Sequence, residues 1–238
     1  MRADRTPVDA SGYFDVEPFR RLGTRAMVVR TPGGPTLVLG STQPPSVVAA
    51  GLGERGEIGV QRRRSGGGAV FVDRLDPIWV DLWVPSDDEL FEPDVGRAPH
   101  WVGDSWASAL GELGIGGLEV HRGPMRTTRW SELVCFAGVG PGEVLAGTRK
   151  VVGVAQWRSR QGSLFHSAAY RTWSPERWVG MLSAAAGPDG GSLTADVRST
   201  AVGLDELVGP PVQPAQVVGA LRRHLPGGAP WAEPALPT

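Results

Sequence analysis

Short apolar runs punctuated by glycine and proline make up most of the chain, and helical spacing interrupts them singly. Ala26-Met27-Val28-Val29-Arg30 and Thr36-Leu37-Val38-Leu39 flank Thr31-Pro32-Gly33-Gly34-Pro35, which predicts strand, turn and strand. Pro44 and Pro45 ahead of Ser46-Val47-Val48 predict a short helix with proline in its first turn. Ile58 to Arg63 reads as a strand that runs into Ser65-Gly66-Gly67-Gly68 and resumes in Ala69-Val70-Phe71-Val72. The pattern is clearest between Asp76 and Val84. There Ile78, Val80, Leu82 and Val84 lie on one face and Trp79 and Trp83 on the other, so the strand is expected to be covered on both sides.

Val102 to Leu113 carries Trp106, Ala109, Leu110 and Leu113 at helical spacing, with Asp104 as its N-cap candidate. Leu118-Glu119-Val120-His121 and Leu133-Val134-Cys135-Phe136 are further strand candidates. Val144 to Ala146, Lys150 to Gln156 and Leu164 to Tyr170 predict an antiparallel meander. Ser174-Pro175-Glu176-Arg177-Trp178 predicts a helix start, and Pro214 to Leu225 a late helix with Val217, Val218, Leu221 and Leu225 on one side. Runs of strands broken by single helices make an α+β fold, with a mixed or antiparallel sheet and flanking helices. The expected organisation is a polar N-terminal segment over 1–25, a main body over 26–186, and a C-terminal helical extension of the same domain over 187–238. The extension ends in a loose Pro/Ala-rich tail.

The composition narrows the function classes. With 41% hydrophobic and 21% charged residues, 238 residues suit one large globular domain. A formal net charge of −1 gives no basic field for nucleic acid. A single cysteine, Cys135, excludes an internal disulfide and fits a reducing, cytoplasmic compartment. The polar start, Met1-Arg2-Ala3-Asp4-Arg5, leads into no apolar signal core, and no run approaches the length of a membrane helix.

One residue stands out from the rest. Among 24 basic side chains only Lys150 is lysine, and the chain has no asparagine. Such drift trades lysine for arginine wherever a generic cation serves, so a surviving lysine points to a task that needs a compact ammonium rather than a planar fork. A second feature is Arg62-Arg63-Arg64-Ser65-Gly66-Gly67-Gly68-Ala69-Val70-Phe71. Three glycines between strands let the backbone approach a ligand closely and aim N–H groups at an acyl carbonyl or a phosphate. The spacing matches neither a Walker loop nor a dinucleotide fingerprint.

Taken together, these segments resemble the lipoate–protein ligase A family, within the biotin/lipoate protein ligase superfamily. Arg62-Arg63-Arg64-Ser65-Gly66-Gly67-Gly68-Ala69-Val70-Phe71 is similar to its substrate-binding signature. Arg149-Lys150-Val151-Val152-Gly153-Val154-Ala155-Gln156 resembles its lysine segment, and Leu164-Phe165-His166 its downstream histidine motif. The resemblance implies the α+β fold of biotin/lipoate ligase catalytic domains and class II synthetases, here over 26–186. It also implies enzymes that attach lipoyl or octanoyl groups to one lysine of a lipoyl carrier domain. On this resemblance Lys150 is catalytic. Arg62, Arg63, Ser65, Gly66, Gly67, Gly68, Ala69, Gly153, Ala155 and His166 bind substrate, and no metal is held tightly. The chain departs from the pattern at Val72, Val154 and Ser167, where the family more often has His, Ser and Gly.

Two chemistries fit. A ligase takes ATP, Mg and lipoate through lipoyl-adenylate. A transferase takes octanoyl–acyl carrier protein through a cysteine acyl-enzyme. LipM-type octanoyltransferases carry Cys-Phe about fifteen residues before the lysine, as Cys135-Phe136 stands to Lys150, with Glu143 between. A thiolate is a strong nucleophile, and a nearby ammonium can steady the oxyanion. The favoured expectation is therefore octanoyl transfer through Cys135, with Lys150 polarising the acyl carbonyl. ATP-dependent ligation and a noncatalytic lipoate- or carrier-binding paralogue remain as alternatives. The expected partners are acyl carrier protein and the lipoyl domains of 2-oxoacid dehydrogenase complexes or the glycine cleavage H protein. Neither nucleic acid nor membrane is expected. Val70, Val72, Val152 and Val154 are the candidate walls of an apolar acyl tunnel.

Overall fold

A computed structural model describes residues 16–52 and 58–234. In chain order the elements are α1 (Glu17–Leu22), β1 (Ala26–Arg30), β2 (Thr36–Leu39), β3 (Gly59–Arg62), β4 (Val70–Val72), β5 (Ile78–Pro85) and α2 (His100–Glu112). β6 (Leu118–Val120), β7 (Val144–Ala146), β8 (Arg149–Ser159), β9 (Gly162–Ala169), α3 (Gly190–Thr200) and α4 (Pro214–His224) follow. The strands form a six-stranded sheet in the order β1-β5-β9-β8-β7-β6 and a three-stranded sheet in the order β3-β2-β4. Every pairing in the large sheet is antiparallel, whereas β2 runs parallel to β3 and antiparallel to β4. The α+β architecture with a mixed sheet and flanking helices is thus as the sequence predicts.

Period-two alternation places these sheets. Ile78, Val80, Leu82 and Val84 point to one side of β5. There they pack with Trp106, Ala109 and Leu110 of α2 and Val217, Ala220 and Leu221 of α4. Trp79 points to the other side, where it meets Val38 of β2 and Val72 of β4. The reverse face of the small sheet, Leu37, Leu39, Val60 and Phe71, joins a second core with Trp130, Trp173, Trp178 and Leu193 and Val197 of α3. The large sheet therefore has helices behind it and the small sheet in front, with a crevice between the sheets.

Several local expectations differ from the structure. The runs 26–30 and 36–39 are strands of different sheets rather than a pair. Asp104 lies inside α2, whose N-cap position is Pro99, and its carboxylate accepts from Arg122. Leu133 to Phe136 is not a strand. Val134 makes one parallel bridge to Ala69, and the chain then turns at once through a 3-10 turn over Cys135–Ala137. Ser174 opens only a 3-10 turn over Pro175–Arg177 and makes no side-chain cap. Helix α3 is unannounced by the sequence, because it starts on Gly190-Gly191 and buries only Leu193 and Val197. The N-terminal segment expected over 1–25 lies outside the described residues up to 15. Beyond that, α1 buries Phe19, and Arg25 is held by Asp88 and the carbonyl of Gly227. The stretch after α4 is docked, since Met27 N–H donates to Ala232 O. Residues 235–238 of the expected loose tail lie outside the described residues. Among the described residues no helix is long and apolar enough to cross a membrane.

Candidate active site

Gly147, at a φ of 61°, turns the chain between β7 and β8. Strand alternation then leaves Arg149 exposed and buries Lys150. The Lys150 ammonium lies 2.7 Å from Glu143 Oε2 and donates to the carbonyl of Cys135 at 2.9 Å. It also sits 5.2 Å from the centre of the Phe136 ring, a cation–π distance. Glu143 is held in turn, because Oε2 accepts from Gly140 N–H and Oε1 from Val154 N–H. An ammonium has three donors, so Glu143 and Cys135 O leave one for a ligand oxygen.

Cys135 is half-buried beside the glycine turn. Its N–H donates to Ala69 O, while Ala69 N–H donates to Leu133 O, so the cysteine segment is stitched to the end of the turn. Gly68 permits that approach. A Cβ there would fall 2.5 Å from Val134 C and 2.6 Å from Cys135 N, both backbone atoms. Gly67 takes a φ of 93°, and a Cβ on it would lie 3.0 Å from Arg63 Nη2 and 3.8 Å from Cys135 Sγ. Arginine and thiol thus converge on the same glycine. Arg63 is buried and braces the turn, donating to Ser65 Oγ and to the carbonyls of Gly66 and Gly68. Burial pushes its guanidinium down from the usual arginine range, and the neighbouring Cys135 sulfur opposes that push.

Two cavities meet at this point. A chamber carries the charged Glu143 and Lys150 and the turn glycines Gly66, Gly67 and Gly68 among apolar neighbours such as Val95, Pro99 and Met125. An almost wholly apolar tunnel runs into the crevice between the sheets, with Val70, Val72, Trp79 and Ala168 among its lining. Cys135, Val154 and Ala155 line both, so the cysteine stands between the tunnel and the chamber.

Deeper in the tunnel wall is a polar cluster. His166 Nδ1 lies 2.6 Å from Asp81 Oδ1, which also accepts from Trp79 Nε1–H at 2.8 Å, and Arg30 Nε–H donates to Asp81 Oδ2 at 2.7 Å. Register explains the meeting, since Asp81 is opposite His166, which is opposite Ala155. Burial raises the proton affinity of the Asp81 carboxyl, but His166 and Arg30 outweigh it and hold the group below the usual carboxylate range.

The structure brings together Lys150, Cys135, Arg63, Gly66, Gly67, Gly68, Gly153, Ala155 and His166 as lining of the two cavities. Arg62, Ser65 and Ala69 line neither. Arg62 Nη1 donates to the carbonyls of Gly40, Ser41 and Gln43, so it positions a loop. Ser65 accepts from Arg63, and Ala69 pairs with the cysteine segment. Val70, Val72 and Val154 are tunnel walls as expected. Val152 is not, because it is buried in the core against the helices. Asp73 is a turn residue, accepting from Leu75 and Asp76 N–H and from Arg177. Sequence reasoning gave no role to Glu143, Asp81 or Arg30. A lone buried lysine needs a carboxylate, which is the signal for Glu143, while Asp81 and Arg30 meet only through strand register. Among the described residues no group of three His, Cys, Asp or Glu side chains is placed to hold a metal ion.

Comparison with known proteins follows the same lines. The family model for the lipoyl protein ligase A/B catalytic domain matches residues 24–226. No curated protein sequence matches the chain. A lipoate-protein ligase A bound with ATP is similar over 87% of this chain and 75% of its own, at 18% identity and a TM-score of 0.64. The bipartite lipoate protein ligase from Thermoplasma acidophilum, from a study that includes its E2 lipoyl domain, is similar over 87% of this chain and 74% of its own. Its identity is 18% and its TM-score 0.66. These two likenesses establish the fold.

Proposed function

Because the chain belongs to the lipoyl protein ligase A/B catalytic domain family, we propose that it is a protein-lipoylation enzyme that transfers an octanoyl group through Cys135. The observation that carries this reading is the place of Cys135 in the walls of both an apolar tunnel and the neighbouring chamber, with Lys150 in the chamber wall. The tunnel takes the acyl chain and leaves the reacting carbonyl beside Cys135. The Cys135 thiolate attacks the thioester carbonyl of octanoyl–acyl carrier protein. The oxyanion accepts from the remaining Lys150 donor, and the carrier's pantetheine thiolate departs and takes up a proton. The lysine amine of a lipoyl domain then attacks the Cys135 thioester. The amide forms, the amine loses a proton and the cysteine thiolate is released. In this reading 26–186 forms the catalytic body, and 187–234 complete it with α3 and α4.

The second reading is ATP-dependent lipoate ligation. It is favoured by the exposed Gly66 and Gly67 beside Lys150, a chamber suited to an adenylate phosphate, and by the ATP bound to a protein of like fold. Octanoylation or lipoylation of a purified lipoyl domain, followed by intact mass with and without ATP, tests the proposal. Modification from octanoyl–acyl carrier protein without ATP is the expected result. Modification only from lipoate plus ATP and Mg assigns the ligase reaction instead, and modification under neither condition supports a noncatalytic binder.

A further inference from the structure

The tunnel's inner wall is shared. Val38, Val72 and Trp79 line it and also line a second cavity, which continues the crevice toward the turn at Gly33 and Gly34. Register explains why. In the small sheet Thr36 pairs with Val72 and Val38 with Val70, which sets these side chains on the face toward Trp79. The crevice is thus one inter-sheet space, pinched at three side chains that form a small apolar cluster of their own. Each of the three is more than nine-tenths buried. Trp79 is fixed, because its Nε1–H donates to Asp81, which Arg30 and His166 hold. Val38 and Val72 supply the rest of the wall with two stiff, branched side chains.

We propose that Val38, Val72 and Trp79 are the ruler of the acyl site. They stop the chain end, and the cavity behind them takes the extra methylenes of a longer acyl chain once the wall is trimmed. This rests on the reading of the tunnel as an acyl site. The wall is apolar and rigid, so it excludes chains that are too long by steric contact rather than by unfavourable polarity. Trimming Val72 to alanine removes two methyl groups and makes room for about two methylenes.

The test uses the full chain with saturated fatty acids of four to fourteen carbons. Binding is read by calorimetry, and Cys135 acylation from the matching acyl–acyl carrier proteins is read by mass. In the unaltered protein affinity rises about fourfold for each added methylene up to one length and then falls. In Val72→Ala, and independently in Val38→Ala, that maximum moves to a longer chain, while Val72→Phe moves it to a shorter one. A maximum that stays at the same length in all three variants overturns the ruler and leaves the acyl tunnel intact. If no acid of any length binds the unaltered protein, the acyl reading itself falls, and the ruler with it.

Discussion

The Lys150 ammonium lies 2.7 Å from Glu143 Oε2, and the two side chains are buried as a pair. A buried ammonium needs this carboxylate, and the same carboxylate keeps the charge beside the cysteine backbone and at the chamber wall. Two roles, structural and electrostatic, therefore fall on the same contact.

Lys150→Arg preserves the charge but not the shape. A planar guanidinium cannot place one donor on Glu143, one on Cys135 O and one on a substrate oxygen from the start of β8. Loss of one such electrostatic donor lowers rates about 10²–10³-fold. Carrier-domain modification by this variant is expected to fall by that factor, with its thermal unfolding still cooperative. Near-normal modification removes Lys150 from the reaction.

Glu143→Ala leaves the Lys150 charge buried without its carboxylate, which destabilises by about 3–5 kcal/mol. Glu143→Leu combined with Lys150→Leu removes both charges and is expected to recover most of that stability without recovering activity. Denaturant midpoints together with carrier modification measure both effects. An unchanged midpoint in Glu143→Ala contradicts the pairing.

Asp81 makes a prediction about acid. Its folded-state affinity for protons is depressed, so over the affected range the unfolded chain binds more protons. The stability it contributes is complete above the ordinary carboxylate value near pH 4 and is lost as pH falls toward the folded value. Asp81→Asn removes this contribution and the carboxylate that Arg30 and His166 share. The stability gap between the two proteins is expected to be widest at neutral pH and to narrow below about pH 4. A gap of constant size down to pH 3 contradicts the assignment.

The tunnel predicts a strong preference for chain over headgroup. Each methylene moved from water into it contributes about 0.8 kcal/mol, so octanoyl donors are expected to exceed acetyl donors by roughly three to four thousandfold in kcat/KM. Comparable use of acetyl and octanoyl donors contradicts an apolar acyl site.

How much of this was legible in the sequence depends on the range of the interaction. The meander of β7, β8 and β9 is legible, because alternation and turn glycines are local and the pairings are between neighbours. So are the two faces of β5, since Ile78 and Trp79 alternate. The glycine turn and the single lysine point to one site, and the structure does place Gly68, Cys135 and Lys150 around one chamber. What fails is non-local. Leu133 to Phe136 has strand composition but meets only Ala69, a partner 64 or more residues away, and so becomes a turn. Arg62 and Arg63 are expected to bind substrate, yet they spend donors on carbonyls of the loop and turn they hold in place. The pairing of Asp81 with Arg30 and His166 is likewise non-local, since it arises only because β1 and β9 flank β5.

In the proposed reaction Cys135 carries the acyl group. The most direct measurement is the intact mass of the protein after incubation with octanoyl–acyl carrier protein in the absence of ATP. The expected result is one octanoyl adduct that hydroxylamine removes and that is absent or formed far more slowly in Cys135→Ser. An unmodified protein that instead catalyses lipoate-dependent exchange between ATP and pyrophosphate, equally well in Cys135→Ser, contradicts it.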